Sequence, residues 1–235
     1  MSLGRDRRLA AGLAIGVSLL TLVPFFVASR TTPPGWVFSG FMLNPYDGFS
    51  YLAKMRQGLE GNWQFVLPYT AQPGSPSFLF VYYLGLGHLA RLGNLPLGKT
   101  FHAARVLGGT VMYLSIYGFL EHLALTRAAR WSAFALVLGV SGFGWIGVSL
   151  GLAASDLLIP ESIPWLSTLV NPHFPLAVAG LTLGFLAALS RGAVWRAGGL
   201  AAMAGLLLGM VQPFVLATLW CVLGTWAVVE QVLQW

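Results

Sequence analysis

The sequence predicts an all-α polytopic membrane protein. Three observations carry that reading: 57% of residues are apolar, the mean hydropathy is +0.75, and several apolar runs are long enough to cross a bilayer core. Leu9 to Ala28, Trp131 to Gly151 and Phe174 to Leu189 contain no charged residue. In lipid, only helices and closed barrels satisfy every backbone polar group, and the period-two alternation of a barrel strand is missing. The net charge of +6 comes from basic residues scattered among loops, which argues against a nucleic-acid surface. The single cysteine, Cys221, lies in an apolar run and reads as packing.

In chain order, GRDRR precedes LAAGLAIGVSLLTLVPFFVAS, a run longer than a signal peptide's core and therefore read as a retained span over 9–29. Arg5, Arg7 and Arg8 place the N-terminus in the cytoplasm. The external loop, 30–100, carries turn signals at TTPPG, NPYDG, EGNW and QPGSP. Within it, DGFSYLAKMRQGLEG sets Phe49, Leu52, Met55 and Leu59 on one side, predicting an amphipathic interfacial helix over 47–61. The apolar segment 77–92 decides the topology. If it spans, Arg127, Arg130, Arg191 and Arg196 all face outward, against the positive-inside tendency. A second interfacial helix there is preferred, with further spans over 101–124, 131–151, 172–190, 197–212 and 213–234.

That topology gathers the polar residues outside: the first loop, and Asp156, Glu161, Asn171 and His173 between the third and fourth spans. Glu121 and His122 read as a solvated helix end. The pairs Gly12/Gly16, Gly147/Gly151, Gly180/Gly184 and Gly205/Gly209 have the spacing that lets membrane helices approach closely. The four histidines are far apart without a metal-binding spacing, so no metal is expected. Nucleophile-elbow, phosphate-loop and dinucleotide motifs are also absent.

Asp47 follows Asn44–Pro45 and has two readings: an N-cap for the helix it opens, and a general base at headgroup height. Lys54, Arg56, Arg91 and Arg105 are the cations within reach of a lipid phosphate, with snorkelling as their alternative. An N-terminal span, Asp47 before an amphipathic helix, QPGSPSFLFVYYLG, and KTFHAARVLGG with Arg105 together resemble GT-C-fold glycosyltransferases of the protein O-mannosyltransferase and aminoarabinose transferase kind.

The resemblance implies a GT-C-like helical bundle that transfers a sugar, with inversion, from a polyprenyl-phosphate carrier to an acceptor on the outer face of a bacterial inner membrane. It maps the base onto Asp47 and a loop- or phosphate-binding arginine onto Arg105. Substrate-binding candidates are Lys54, Arg56, Asp156, Glu161, Asn171 and His173. No cofactor is implied beyond weak divalent-cation assistance. Asp47 is followed by Gly48, where protein O-mannosyltransferases carry a second acid. Family members continue with further spans, so the expectation is an N-terminal module completed by a C-terminal half or a second polytopic subunit. A transporter component and a non-catalytic membrane scaffold are the competing readings; the Gln212–Pro213 break favours the former.

Overall fold

A computed structural model of the chain describes residues 3–123, 125–140, 142–152, 154–190 and 193–233. Among them there is no strand beyond one isolated bridge, Phe65 to Ser77, and the architecture is a helical bundle. Among the described residues, five helical segments are long and apolar enough to cross a membrane: Gly4–Thr31, Leu97–His122, Arg127–Ser149, Val194–Val211 and Phe214–Leu233. The chain is therefore a multi-pass helical membrane protein. A shorter apolar helix, His173–Leu189, spans about 26 Å at 1.5 Å per residue and lies centrally in the bundle.

The first span is two helices, α1 (Leu3–Leu20) and α2 (Val23–Thr31), separated by a turn at Thr21–Leu22. Pro24 explains the break: it has no N–H for the Leu20 carbonyl, and its ring crowds that carbonyl. In the first loop, α3 (Pro45–Leu59) begins two residues before Asp47, with Pro45 in its first turn and Asn44 left-handed at φ 46°. Asp47 is thus not the N-cap. The loop beyond α3 folds back on it, since the Gln57 side chain donates to the Val66 carbonyl at 2.8 Å and accepts from the Val66 N–H at 2.9 Å. Helix α4 (Val81–Gly93) follows, bounded by left-handed Phe80 and Asn94.

Glycine fixes how α3 and α4 meet. A Cβ on Gly58 would strike the Leu84 carbonyl oxygen, and one on Gly87 would strike the Met55 carbonyl oxygen, so the two backbones touch. Gly58→Val is expected to destabilise the protein by at least the 1–3 kcal/mol typical of overpacking, because backbone rather than a pliant side chain must move. A melting curve of the purified protein in detergent measures this. Among the four pairs read from sequence, only Gly180/Gly184 makes comparable contacts, against Leu208 and Leu219; a Cβ at Gly12, Gly16, Gly205 or Gly209 meets nothing.

Helix α5 (Leu97–His122) carries the bundle from one end to the other. The third apolar run divides into α6 (Arg127–Gly139) and α7 (Gly144–Ser149). Helix α8 (Ser155–Leu158), a 3-10 turn at Pro160–Ser162 and α9 (Pro164–Val170) then lead into α10 (His173–Leu189). Helices α11 (Val194–Val211) and α12 (Phe214–Leu233) pack on α10. Arg191, assigned to the loop between α10 and α11, lies outside the described residues.

Ion pairs show which helix ends lie together. Arg7 binds Glu121 at 2.9 Å, and Arg127 grips Asp6 through two contacts of 2.8 and 2.9 Å while Arg130 adds a third at 3.3 Å. His122 Nε2 meets the Leu189 carbonyl at 3.0 Å. The start of α1, the end of α5, the start of α6 and the end of α10 therefore share one end. Between Arg7 and Glu121 the bundle is traversed twice, by α1–α2 and by α5. Helix α4 lies at the opposite end, packed with α3 against Phe101 and Ala104 at the start of α5. Glu121 is paired with Arg7 and mostly covered, while His122 stays exposed and meets the Leu189 carbonyl, because the N-terminal basic cluster and the end of α10 come to rest here.

Candidate functional site

The α3–α4 end of the bundle assembles a polar site that the local sequence only partly reveals. On α3, Asp47, Tyr51 and Lys54 follow i, i+4, i+7 spacing and share a face. Asp47 is exposed in the first turn, where a carboxylate complements the helix dipole, and Asn44 at the N-cap makes no side-chain capping bond. The Tyr51 ring stacks on Tyr83 of α4 with centroids 4.4 Å apart, and both rings meet His173 edge-on. Tyr83 Oη and His173 Nδ1 share a 2.6 Å hydrogen bond. This bond pins the start of α10 to the α3–α4 pair.

Lys54 is 7% exposed, unusual for a lysine, and its surroundings explain how it is held. Its ammonium donates to Ser50 Oγ at 2.9 Å and lies 4.2 Å from the Phe80 ring centroid and 4.8 Å from that of Tyr51. Burial lowers its pKa from the usual 10.5, and the Asp47 carboxylate partly restores it. The Tyr51 phenol is pushed up to about 12, first by burial and then by the negative fields of Asp47 and Glu161. Two carboxylates from segments far apart in the chain therefore act on one hydroxyl. Glu161 is exposed on the 3-10 turn before α9.

Tyr51, Tyr83 and His173 border a cavity of about 360 Å³ between α3, α4 and the α11–α12 corner, lined also by Phe80, Gln212 and Phe214 among others, while Asp47 and Lys54 lie outside its wall on the same face of α3 as Tyr51. One part of its wall is polar and aromatic; the rest is apolar helix surface. Gln212, whose extended backbone (φ −159°) breaks α11 from α12, is buried at this wall.

The other residues singled out from sequence lie elsewhere. Arg56 is on the opposite side of α3 from Asp47, exposed and paired with Glu60 at 2.7 Å. Asn171 is buried at the corner between α9 and α10, two residues from His173. The Asp156 carboxylate accepts the Gly144 N–H at 2.8 Å and so closes the start of α7; Gly142 and Gly144 lack side chains where that carboxylate sits.

Arg105 is completely buried. Its Nη1 donates to the Thr168 and Leu169 carbonyls, each at 2.8 Å, and to Thr21 Oγ1 at 3.1 Å; Nη2 reaches the Thr21 carbonyl at 3.4 Å, and Nε donates to His102 Nδ1 at 3.3 Å. The guanidinium also covers the Phe25 ring at 4.4 Å. It thus collects the carbonyls released at the α1–α2 break and at the end of α9, where a cation is favoured.

Tyr51 and Tyr83 were missed by the sequence reading. The signal available for Tyr51 was its position between Asp47 and Lys54 on one helical face; nothing local marked Tyr83. Among the described residues, no three His, Cys, Asp or Glu side chains gather as a metal-binding group. No family model, curated protein or solved structure matches the chain.

Proposed function

We propose that this chain supplies the catalytic rim of a membrane glycosyltransferase that uses a polyprenyl-phosphate-linked sugar, with the α3–α4 end facing outward and the N-terminus in the cytoplasm. The observation that supports it is Tyr51, which shares one face of α3 with Asp47 and Lys54 and lines a cavity with one polar end and apolar helical walls. Such a cavity suits a ligand that is polar at the reacting centre and greasy behind it.

In this reading the Asp47 carboxylate takes the proton of an acceptor hydroxyl, and the acceptor oxygen forms a bond to the anomeric carbon from the face opposite the phosphate. The bond from that carbon to the phosphate oxygen breaks, and the electron pair leaves with polyprenyl phosphate. Lys54 meets the charge that gathers on the leaving phosphate, in a poorly solvated place where one cation acts strongly. Protonated Asp47 returns its proton to water. Tyr51, Tyr83 and His173 shape the polar end, and Glu161 stands as the second carboxylate. Arg105, whose donors are occupied by backbone, positions α9 and the Glu161 turn.

Transfer of labelled sugar from a polyprenyl-phosphate donor by the full chain in liposomes, alone and with any copurifying polytopic partner, tests the proposal. Absence of transfer in both preparations overturns it. Lys54 adds a pH signature. Its depressed folded-state pKa means that the unfolded chain binds more protons between that pKa and 10.5, so stability should rise with pH across this window. Transfer should fall over the same window as the ammonium loses its charge. Lys54→Met is expected to abolish the stability slope, leave the protein folded, and lower transfer about a hundredfold. Parallel melting and rate profiles against pH check both.

A further inference from the structure

On the other side of α5 from this site, the bundle leaves a second and larger cavity of about 1140 Å³ between α1–α2 and α5. Its walls are almost wholly apolar, with Ile15, Leu19 and Phe26 facing Val106 and Leu107. Phe26 and Leu107 are 60% and 65% exposed, so no other helix among the described residues covers the groove. It follows α5 from Gly98 to Thr110, about 18 Å at 1.5 Å per residue, close to the depth of one leaflet of a hydrocarbon core about 30 Å thick. The groove therefore opens to lipid and runs parallel to an acyl chain.

Its upper end is not neutral. Lys99, in the first turn of α5, belongs to the wall, and the Arg30 guanidinium lies 4.9 Å from the Phe26 ring that forms the facing wall. Both cations are exposed, and neither makes an ion pair among the described residues. They stand at the α3–α4 end of the groove, beyond the apolar stretch that a leaflet's hydrocarbon would cover. The groove thus combines a chain-length apolar slot with two uncommitted positive charges at one end.

We infer that this groove binds an anionic bilayer phospholipid, one acyl chain lying between α1–α2 and α5 and the phosphate held by Arg30 and Lys99. Charge complementarity selects the headgroup, and slot depth selects a single-leaflet chain over a longer isoprenoid. The inference is independent of the transferase reading, since none of its residues belongs to the site on α3.

The test uses the purified full chain, delipidated in neutral detergent and titrated with phosphatidylglycerol or phosphatidylcholine of matched chains, with binding read by native mass spectrometry. Phosphatidylglycerol is expected to bind about twenty-five-fold more tightly, from two basic contacts each worth about fivefold near an anionic headgroup. The double variant Arg30→Gln/Lys99→Gln should bring the two lipids to equal affinity. Leu107→Trp, an exposed position whose larger ring fills the slot, should weaken both. Equal affinities in the unaltered protein, a preference that survives the double variant, or binding indifferent to Leu107→Trp each overturn the inference. So does polyprenyl phosphate displacing phosphatidylglycerol at lower concentration, or a second copy of the chain occupying the groove.

Discussion

Asp47→Asn is expected to lower the proposed glycosyl transfer by about a hundred- to ten-thousandfold, the range over which a positioned general base contributes. The protein should remain folded, because Asp47 is exposed and makes no capping bond; loss of its charge near the α3 dipole costs only about 0.3–1 kcal/mol. Asparagine keeps the shape and hydrogen-bonding capacity of the side chain but accepts no proton from the acceptor. Asp47→Glu keeps the base and moves it by one methylene, so it should retain part of the rate. Glu161→Gln is the internal control: its carboxylate influences Tyr51 electrostatically from another segment, and its loss should change the rate far less than loss of Asp47. Rates from a labelled polyprenyl-phosphate sugar, with melting temperatures of the same preparations, decide the matter. Full activity in Asp47→Asn, or a larger loss in Glu161→Gln, would remove Asp47 from the role of base.

The spans were legible because a charge-free apolar run has few structural options in lipid. Their interruptions were less so. Pro24 sits visibly inside the first run, yet proline is tolerated within membrane helices when another group takes the freed carbonyls. Here Arg105, 84 positions away, binds the hydroxyl and the carbonyl of Thr21 at the break, next to the Leu20 carbonyl that loses its helical donor to Pro24. The same distance problem hid Asp6: within GRDRR it reads as a minor exception in a basic cluster, whereas it is the buried acceptor for Arg127 and Arg130. Glycine pairing was legible within a helix but not between helices. Gly58 and Gly87 share no spacing rule, and only the packed α3–α4 pair shows that each lies against the other's backbone.

The candidate site divides along the same line. Asp47 and Lys54 could be read from one amphipathic segment, where helical periodicity places both on a face. His173 and Gln212 were visible as polar residues in an apolar chain, but their arrival at one cavity depends on the packing of α10 and α11, and Glu161 reaches the site only through its field on Tyr51. Tyr83 had no local mark, because its role arises from stacking on Tyr51 and bonding His173, 90 positions on. A residue's chemistry can be read from its type; its partners come from packing.

Arg105→Met should be the most destabilising of the substitutions considered. Methionine fills much of the volume but donates nothing, leaving the Thr168, Leu169 and Thr21 carbonyls without their charged partner in a buried, poorly solvated place. An unsatisfied buried acceptor costs about 1–3 kcal/mol, and with partial relaxation the set should total about 3–5 kcal/mol. Arg105→Lys keeps the charge but not the fork that reaches α1 and α9 together, so it should recover only part of the loss. The end of α9 would then be released, and with it the Glu161 turn and the Asn171–His173 corner. Melting temperature and protease sensitivity between Pro160 and His173 should change together, and any loss of the proposed transfer should track that loosening. The opposite pattern, an Arg105→Met protein of unchanged stability that has lost transfer, would move Arg105 from the scaffold to the substrate phosphate.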